Sequence, residues 1–213
     1  MMLNYKPAYI YIIMHEIILA SGSPRRKELL EDINPNFEVI VRNVDENFPS
    51  DLPSENVAEF LAILKADAYK DLIMNTKKIV ITADTVVVFD NKILGKPKSN
   101  QDAIEMLSLL SGKMHEVITG VCVMAEHKKI SFSEVSKVYF DNLPKETIEY
   151  YIHNFKPLDK AGAYGVQEYI GRIGIKKIEG CIYNIIVLPV NYLWNELLNF
   201  LECDWIYSFY LYF

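Results

Sequence analysis

The sequence predicts a single mixed α/β domain, and three observations carry that reading. Short apolar, β-branched runs such as Ile17-Ile18-Leu19-Ala20 and Ile79–Phe89 alternate with amphipathic helical stretches. The 213 residues, 51% of them hydrophobic, suffice to bury one sizeable core. No internal repeat or low-complexity linker divides the chain, which favours one unit, with or without two lobes, over separable domains.

The elements follow in order. Ile17–Ala20 reads as a buried strand, and small residues after it make a tight turn. Ser23 is a good helix cap, and Pro24 suits the first helical position because its missing N–H would have no partner there. A strand near Phe37–Val41 precedes a loop with Asp45 and Glu46. Ser54 is placed to cap a helix reaching about Met74, with Val57, Leu61, Leu64, Ala68 and Leu72 along one face. Ile79–Phe89 is a strand that turns at Asp90-Asn91 into Ile93-Leu94. Ser99 and Asp102 resemble a capping box opening a helix at Gln101–Leu110, and Gly112 is placed to end it. Val117–Ala125 and Ile130–Phe140 read as two long antiparallel strands, followed by a helix at Lys145–His153. Beyond a glycine-rich stretch at 161–171, strands are expected at Arg172–Ile178 and Tyr183–Leu188, and a last helix at Val190–Glu202.

The two ends read differently. The apolar stretch Ala8–Met14 is short, and His15-Glu16 interrupt it. Cleavage near Ala20 would destroy the strand beneath the turn, so residues 1–15 read as an extension, with Met14 an alternative start. The domain proper is expected over 16–202. The aromatic tail, 203–213, has three readings that the sequence does not separate: packing on the body, a subunit interface, or an altered reading frame.

Composition excludes several classes. The formal net charge is −6 and no block of Lys and Arg forms a basic face, which argues against nucleic acid as a partner. No segment approaches the roughly 18 continuous apolar residues of a membrane span. Cys122, Cys181 and Cys203 are odd in number, far apart and without Cys-x-x-Cys spacing, as in a cytoplasmic protein with reduced thiols. His15, His115, His127 and His153 show no metal-ligand spacing.

Four segments can carry chemistry. The turn at Ser21–Arg26 brings free backbone N–H groups, the positive end of a helix dipole, and Arg25 and Arg26 to one point. In an acidic protein that combination indicates a phosphorylated small molecule. It lacks the Gly-x-x-x-x-Gly-Lys-Ser/Thr of a P-loop, and Gly162–Gly174 lacks dinucleotide-binding spacing. In Ala83-Asp84-Thr85, a carboxylate in an apolar strand must bind a cation or find donors; backbone hydrogen bonds at the strand end are the plainer alternative. Lys96 in Gly95-Lys96-Pro97 reads, alone, more readily as a surface residue than as a ligand. Asp159-Lys160-Ala161-Gly162-Ala163-Tyr164-Gly165-Val166-Gln167 permits either a close backbone approach to a ligand or a crossing of packed segments.

In this order, these segments closely resemble the Maf family of nucleotide pyrophosphatases. Val44-Asp45-Glu46, Lys65-Ala66 and Leu110-Ser111-Gly112 with His115 add to the match, which covers about residues 16–200. The resemblance implies an elongated, twisted mixed sheet flanked by helices around a central cleft, commonly in a homodimer. It implies hydrolysis of a nucleoside triphosphate between the α and β phosphates with a divalent cation, Mg²⁺ or Mn²⁺, in a house-cleaning role. Ala83-Asp84-Thr85 and Asp159–Gln167 look like the branch acting on dTTP and UTP. Carried over by position, Ser21, Arg25, Arg26 and Lys65 would hold phosphate, and Glu46 and Asp84 the metal. Asp84, Lys96 and Gln167 would serve catalysis, Asp84 orienting or deprotonating water. Two positions depart from the pattern: Glu168 stands where many relatives have glycine, and Val187 replaces a glycine expected before Leu188-Pro189, with effects expected on packing. The alternatives are a nucleotide-binding regulator of cell division, or a guanine-type or broad triphosphate pyrophosphatase.

Overall fold

Strand β3 (Lys78–Phe89) organises the molecule. The computed structural model describes residues 15–210, with side chains to Leu201. The expectations for an N-terminal extension and for the side chains of the aromatic tail therefore lie outside the described residues. Among the described residues, one mixed sheet of seven strands runs in the order β2-β1-β3-β5-β6-β7, with β4 also paired to β3. Strand β1 (Glu16–Leu19) lies parallel to β2 (Phe37–Val39) and to β3. Strands β4 (Lys92–Leu94), β5 (Met114–Ala125), β6 (Lys128–Phe140) and β7 (Ile175–Glu179) make antiparallel pairs.

The edge of β3 opposite β5 is interrupted. β1 pairs with Lys78–Ile81 and β4 with Val87–Phe89, leaving Thr82–Val86 with no strand on that edge among the described residues. Because β1 runs parallel and β4 antiparallel to β3, both strands end facing this gap. A crevice where neighbouring strands end and diverge is the usual place for a ligand in an open α/β sheet. Asp84 stands at its centre.

Helices cover both faces. Helix α1 (Pro24–Glu31) begins as expected, with Ser23 extended and its hydroxyl accepting the Arg26 N–H. Helix α2 (Ser54–Asp67) is capped at Pro53 without a side-chain bond, so Ser54 is its first residue rather than its cap. It does not continue to Met74. Tyr69 breaks it and a separate turn, α3 (Lys70–Ile73), follows. The cause is long-range: the Tyr69 ring is buried, its hydroxyl donates to Ile40 O and accepts the Arg42 N–H, and the Arg42 guanidinium donates to Ala68 O. Helices α4 (Asn100–Leu110) and α5 (Lys145–Phe155) match their expectations, and Ser99 caps α4.

Beyond α5, a 3₁₀ turn at Ala161–Ala163 leads to helix α6 (Tyr169–Gly174), which replaces the first part of the strand expected from Arg172. The strand expected at Tyr183–Leu188 is instead helix α7 (Ile182–Ile186). Asn184 explains the difference: it is fully buried, its side-chain amide donates to Val117 O and Ser136 Oγ, and its backbone carbonyl accepts from Thr119. Those bonds decide the backbone where an apolar run alone suggested extension. Helix α8 (Val190–Tyr210) continues past the expected end at Glu202.

The alternation of β3 sorts the core. Ile79, Ile81 and Ala83 pack with Leu193, Leu197 and Phe200 of α8 on one face. Val80 and Val86 pack on the other against Ala62, Ala66, Val57 and Leu61 of α2. Gly120 of β5 permits that contact, since a Cβ there would lie 2.2 Å from the Glu59 nitrogen. A further cluster joins α4, α5 and α6 through Leu107, Leu110, Tyr151, Ile152 and Ile170, with Tyr164.

Candidate active site

The gap in β3 opens into a cleft of about 620 Å³ lined by β1–α1, the loop after β2, the middle of β3, the loop after β4 and residues 159–164. Consecutive side chains of β3 point to opposite faces, so the site wraps around the open edge. Asp84 faces α2, where the Lys65 ammonium lies 2.6 Å from Asp84 Oδ1 and 2.9 Å from Glu46 Oε1. Lys65 and Asp84 are largely shielded, whereas Glu46 is 55% exposed and can leave.

Thr85 faces the other side and meets Arg26. The Arg26 Nη2 donates to Thr85 Oγ1 at 3.0 Å, Nη1 to Ser21 Oγ at 3.3 Å and Nε to Val187 O at 3.2 Å. Thr119 donates to Asn184 O at 3.1 Å, so it accepts from Thr85 at 2.9 Å. The result is a directed chain from Arg26 through Thr85 and Thr119 to α7. A guanidinium has five N–H donors, and these three bonds leave two for a ligand. Burial lowers the Arg26 pKa against the pull of Asp84; Arg25 adds to the lowering and Glu46 opposes it. It remains protonated throughout the physiological range. Ser21 Oγ also accepts the Ser23 N–H at 3.3 Å, so its own hydrogen remains to be donated.

The residues expected in the site are mostly brought together. Ser21, Arg25, Arg26, Glu46, Lys65, Asp84 and Lys96 all line the cleft. Gln167 does not: it is exposed and outside the lining. Lys96 is carried by a loop that the Gly162 N–H ties to Gly95 O at 3.1 Å. Gly162 has φ +69, a conformation that a side chain would oppose, so the tie depends on glycine.

Several lining residues were not singled out from sequence. Lys160 lines the cleft with its ammonium 2.7 Å from Asp159 Oδ1 and 3.1 Å from Glu168 Oε1. Arg25 Nη2 lies 3.8 Å from Asp159 Oδ2. Burial would raise the Asp159 pKa, but the hydrogen bond and charge of Lys160, with Arg25, hold it below the usual range. Arg42 also lines the cleft but is engaged elsewhere, in a two-pronged pair with Asp71 and over the Tyr69 ring. Lys160 had a signal, a cation inside a glycine-rich loop; Thr119 and Asn184 showed only as isolated polar residues in apolar runs.

Val187 has a consequence beyond packing. It adopts φ +151, a region that β-branched residues avoid, while its carbonyl accepts from Arg26 Nε. The backbone is strained where it holds the guanidinium.

Residues 16–200 match the family described as Maf-like protein. The chain belongs to the Maf family. Among its relatives, a dTTP/UTP pyrophosphatase of Bacteroides thetaiotaomicron is 49% identical, covering 86% of this chain and 95% of the relative. One from Christiangramia forsetii is 47% identical, covering 88% and 95%. One from Porphyromonas gingivalis is 45% identical, covering 89% and 96%. The solved Ham1 protein of Staphylococcus aureus aligns at 19% identity and TM-score 0.44 over 59% of this chain and 71% of its own.

Proposed function

We propose that this Maf protein hydrolyses dTTP and UTP to the nucleoside monophosphate and pyrophosphate. One observation supports this most: a carboxylate at the centre of an interrupted sheet edge shares one cleft with Lys65, Arg25, Arg26, Lys96 and Lys160. The names of the relatives supply the bases. A triphosphate carries about four negative charges, and one unit pair at 4 Å is worth about 4 kcal/mol at an effective dielectric of 20. A protein of net charge −6 meets that demand only by concentrating cations locally.

The residues divide the work by position. Ser21, the α1 N-terminus and the two free Arg26 donors hold phosphate oxygens. Arg25 and Lys96 add charge at the rim. Asp84 orients the attacking water and takes its proton, with Lys65 holding the carboxylate in place. The arginines stabilise the charge that builds on the leaving pyrophosphate. Water adds to the α phosphorus, the α–β bridging bond breaks, and the electron pair leaves with pyrophosphate.

A divalent cation fits the same place. Glu46 and Asp84 bring two hard oxygen donors within 2.9 Å of one cationic point, now the Lys65 ammonium. Mg²⁺ is commonly held by one or two carboxylates together with substrate phosphates. Glu46 and Asp84 would hold Mg²⁺ or Mn²⁺, which when bound supplies charge neutralisation and a more acidic water. A homodimer, a cytoplasmic setting and a house-cleaning role complete the proposal. No helix among the described residues is long and apolar enough to cross a membrane.

The test is a screen of canonical and modified triphosphates with Mg²⁺ and with Mn²⁺, measuring pyrophosphate separately from phosphate. Pyrophosphate from dTTP and UTP is the expected result. Release of single phosphates would overturn α–β cleavage, and binding of dTTP without any release would favour a regulatory role.

A further inference from the structure

Glu168 has no place in the chemistry above, yet two groups converge on its carboxylate. It stands behind the cleft wall, outside the lining, with 26% of its side chain exposed. One oxygen takes the Lys160 ammonium at 3.1 Å, and the other accepts the Tyr151 hydroxyl. Tyr151 is fully buried and accepts the Gly165 N–H at 3.1 Å, which fixes the phenol in turn. Gly165 makes room for the carboxylate, because a Cβ there would lie 2.9 Å from the Glu168 carboxyl carbon. Burial raises the Tyr151 pKa, and the bond to Glu168 raises it further, so Tyr151 stays a proton donor toward Glu168.

Lys160 therefore stands between two unequal partners. Asp159 lies on the cleft side and is 64% exposed, whereas Glu168 lies behind, braced by Tyr151. An exposed ion pair contributes little and is easily exchanged. Lys160 itself is only 12% exposed and lines the cleft. With both carboxylates near it, Lys160 belongs to a group of net charge −1, or zero with Arg25 beside Asp159, so its own charge is already spent before an anion arrives.

We propose that Lys160 is a further polyphosphate-binding cation of the cleft and that Glu168 positions it while weakening its hold on the anion. This rests on the pyrophosphatase reading for the identity of the anion, a nucleoside triphosphate or the pyrophosphate product. The incoming phosphate takes the place of Asp159 against Lys160. Glu168 stays in place and keeps the ammonium aimed. A binding cation restrained in this way favours release of a doubly charged or more highly charged product.

The test uses the full chain, titration calorimetry with inorganic tripolyphosphate, and steady-state kinetics with dTTP. Lys160→Met should weaken tripolyphosphate binding and raise KM about tenfold, as for loss of one charged hydrogen bond, with kcat within about twofold of wild type. Lys160→Arg should recover most of that loss. Glu168→Gln, which keeps a hydrogen bond from Tyr151, should tighten tripolyphosphate binding about threefold and lower KM, and should change neither in the Lys160→Met background. If Lys160→Met does not melt cooperatively, Glu168→Gln alone decides the matter. Unchanged binding in a folded Lys160→Met variant, or weaker binding in Glu168→Gln, overturns the proposal. Wild-type protein that binds tripolyphosphate but releases no pyrophosphate from dTTP would overturn the pyrophosphatase reading instead, and the Lys160 comparison would still be decided by calorimetry.

Discussion

Two lysines in the cleft each stand between two carboxylates, and they are built in opposite ways. Lys65 is placed by helix α2, Asp84 by β3 and Glu46 by the loop after β2, so three distant segments must fold to assemble that group. Lys160 takes its partners from its own neighbourhood, Asp159 next to it and Glu168 eight positions on. Tyr151 braces this second group, and His115 anchors the same loop by holding the Tyr164 hydroxyl at 2.7 Å. The difference is one of commitment. Each group has one exposed carboxylate free to exchange, Glu46 or Asp159; the first sits over the open edge of β3, which suits chemistry, and the second keeps Glu168 braced behind its lysine, which suits holding.

That contrast can be broken most directly at Asp84. Asp84→Asn should lower kcat by about 10²–10⁴-fold, the range for a lost acid–base group, while thermal melting keeps its midpoint. Wild-type turnover in that variant would move the chemistry out of the first group. Lys65→Met should lower kcat/KM about 10²-fold, clearly more than the tenfold rise in KM expected for Lys160→Met. Equal effects would erase the distinction between the two groups.

The buttress makes its own predictions. Burial holds the His115 pKa at about 4, against about 6.5 in an unfolded chain. The folded protein thus binds fewer protons between those values. Stability is full above about pH 6.5 and falls as pH drops toward 4, by about 3 kcal/mol in all at 1.4 kcal/mol per unit. His115→Gln should flatten that slope in urea denaturation at pH 7, 5.5 and 4.5. Tyr151→Phe leaves the Gly165 N–H and a Glu168 oxygen without this partner, and should cost about 1–3 kcal/mol in the same measurement. Val187→Gly should have the smallest effect, within about 1 kcal/mol, because relief of about 1–3 kcal/mol of strain offsets lost burial of similar size. A loss of several kcal/mol there would mean that φ +151 carries no strain.

Legibility in the sequence followed the range of the interactions. β3, β5, β6 and the Ser23–Pro24 helix start were readable because alternation, turn residues and caps are local signals. The break at Tyr69 and the helical turn at Asn184 were not, since Arg42 and Val117 decide them from far along the chain. In the site, the anion turn could be read from its own residues. Lys65 and Glu46 were placed by family resemblance, because no spacing rule brings residues 46, 65 and 84 to one point. Glu168 was visible only as a departure; it precedes α6, and its partner Tyr151 lies on α5.

The interrupted edge of β3 also bears on how the protein avoids its own copies. A strand edge without a neighbour can template pairing with another chain. Here the run without a strand partner, Thr82–Val86, spans only about 17 Å at roughly 3.3 Å per residue and is closed at both ends by β1 and β4. Its approach is lined with lysine and arginine, as protected edges commonly are. The opening is thus too short and too charged to recruit a strand, so the gap carries little risk of aggregation.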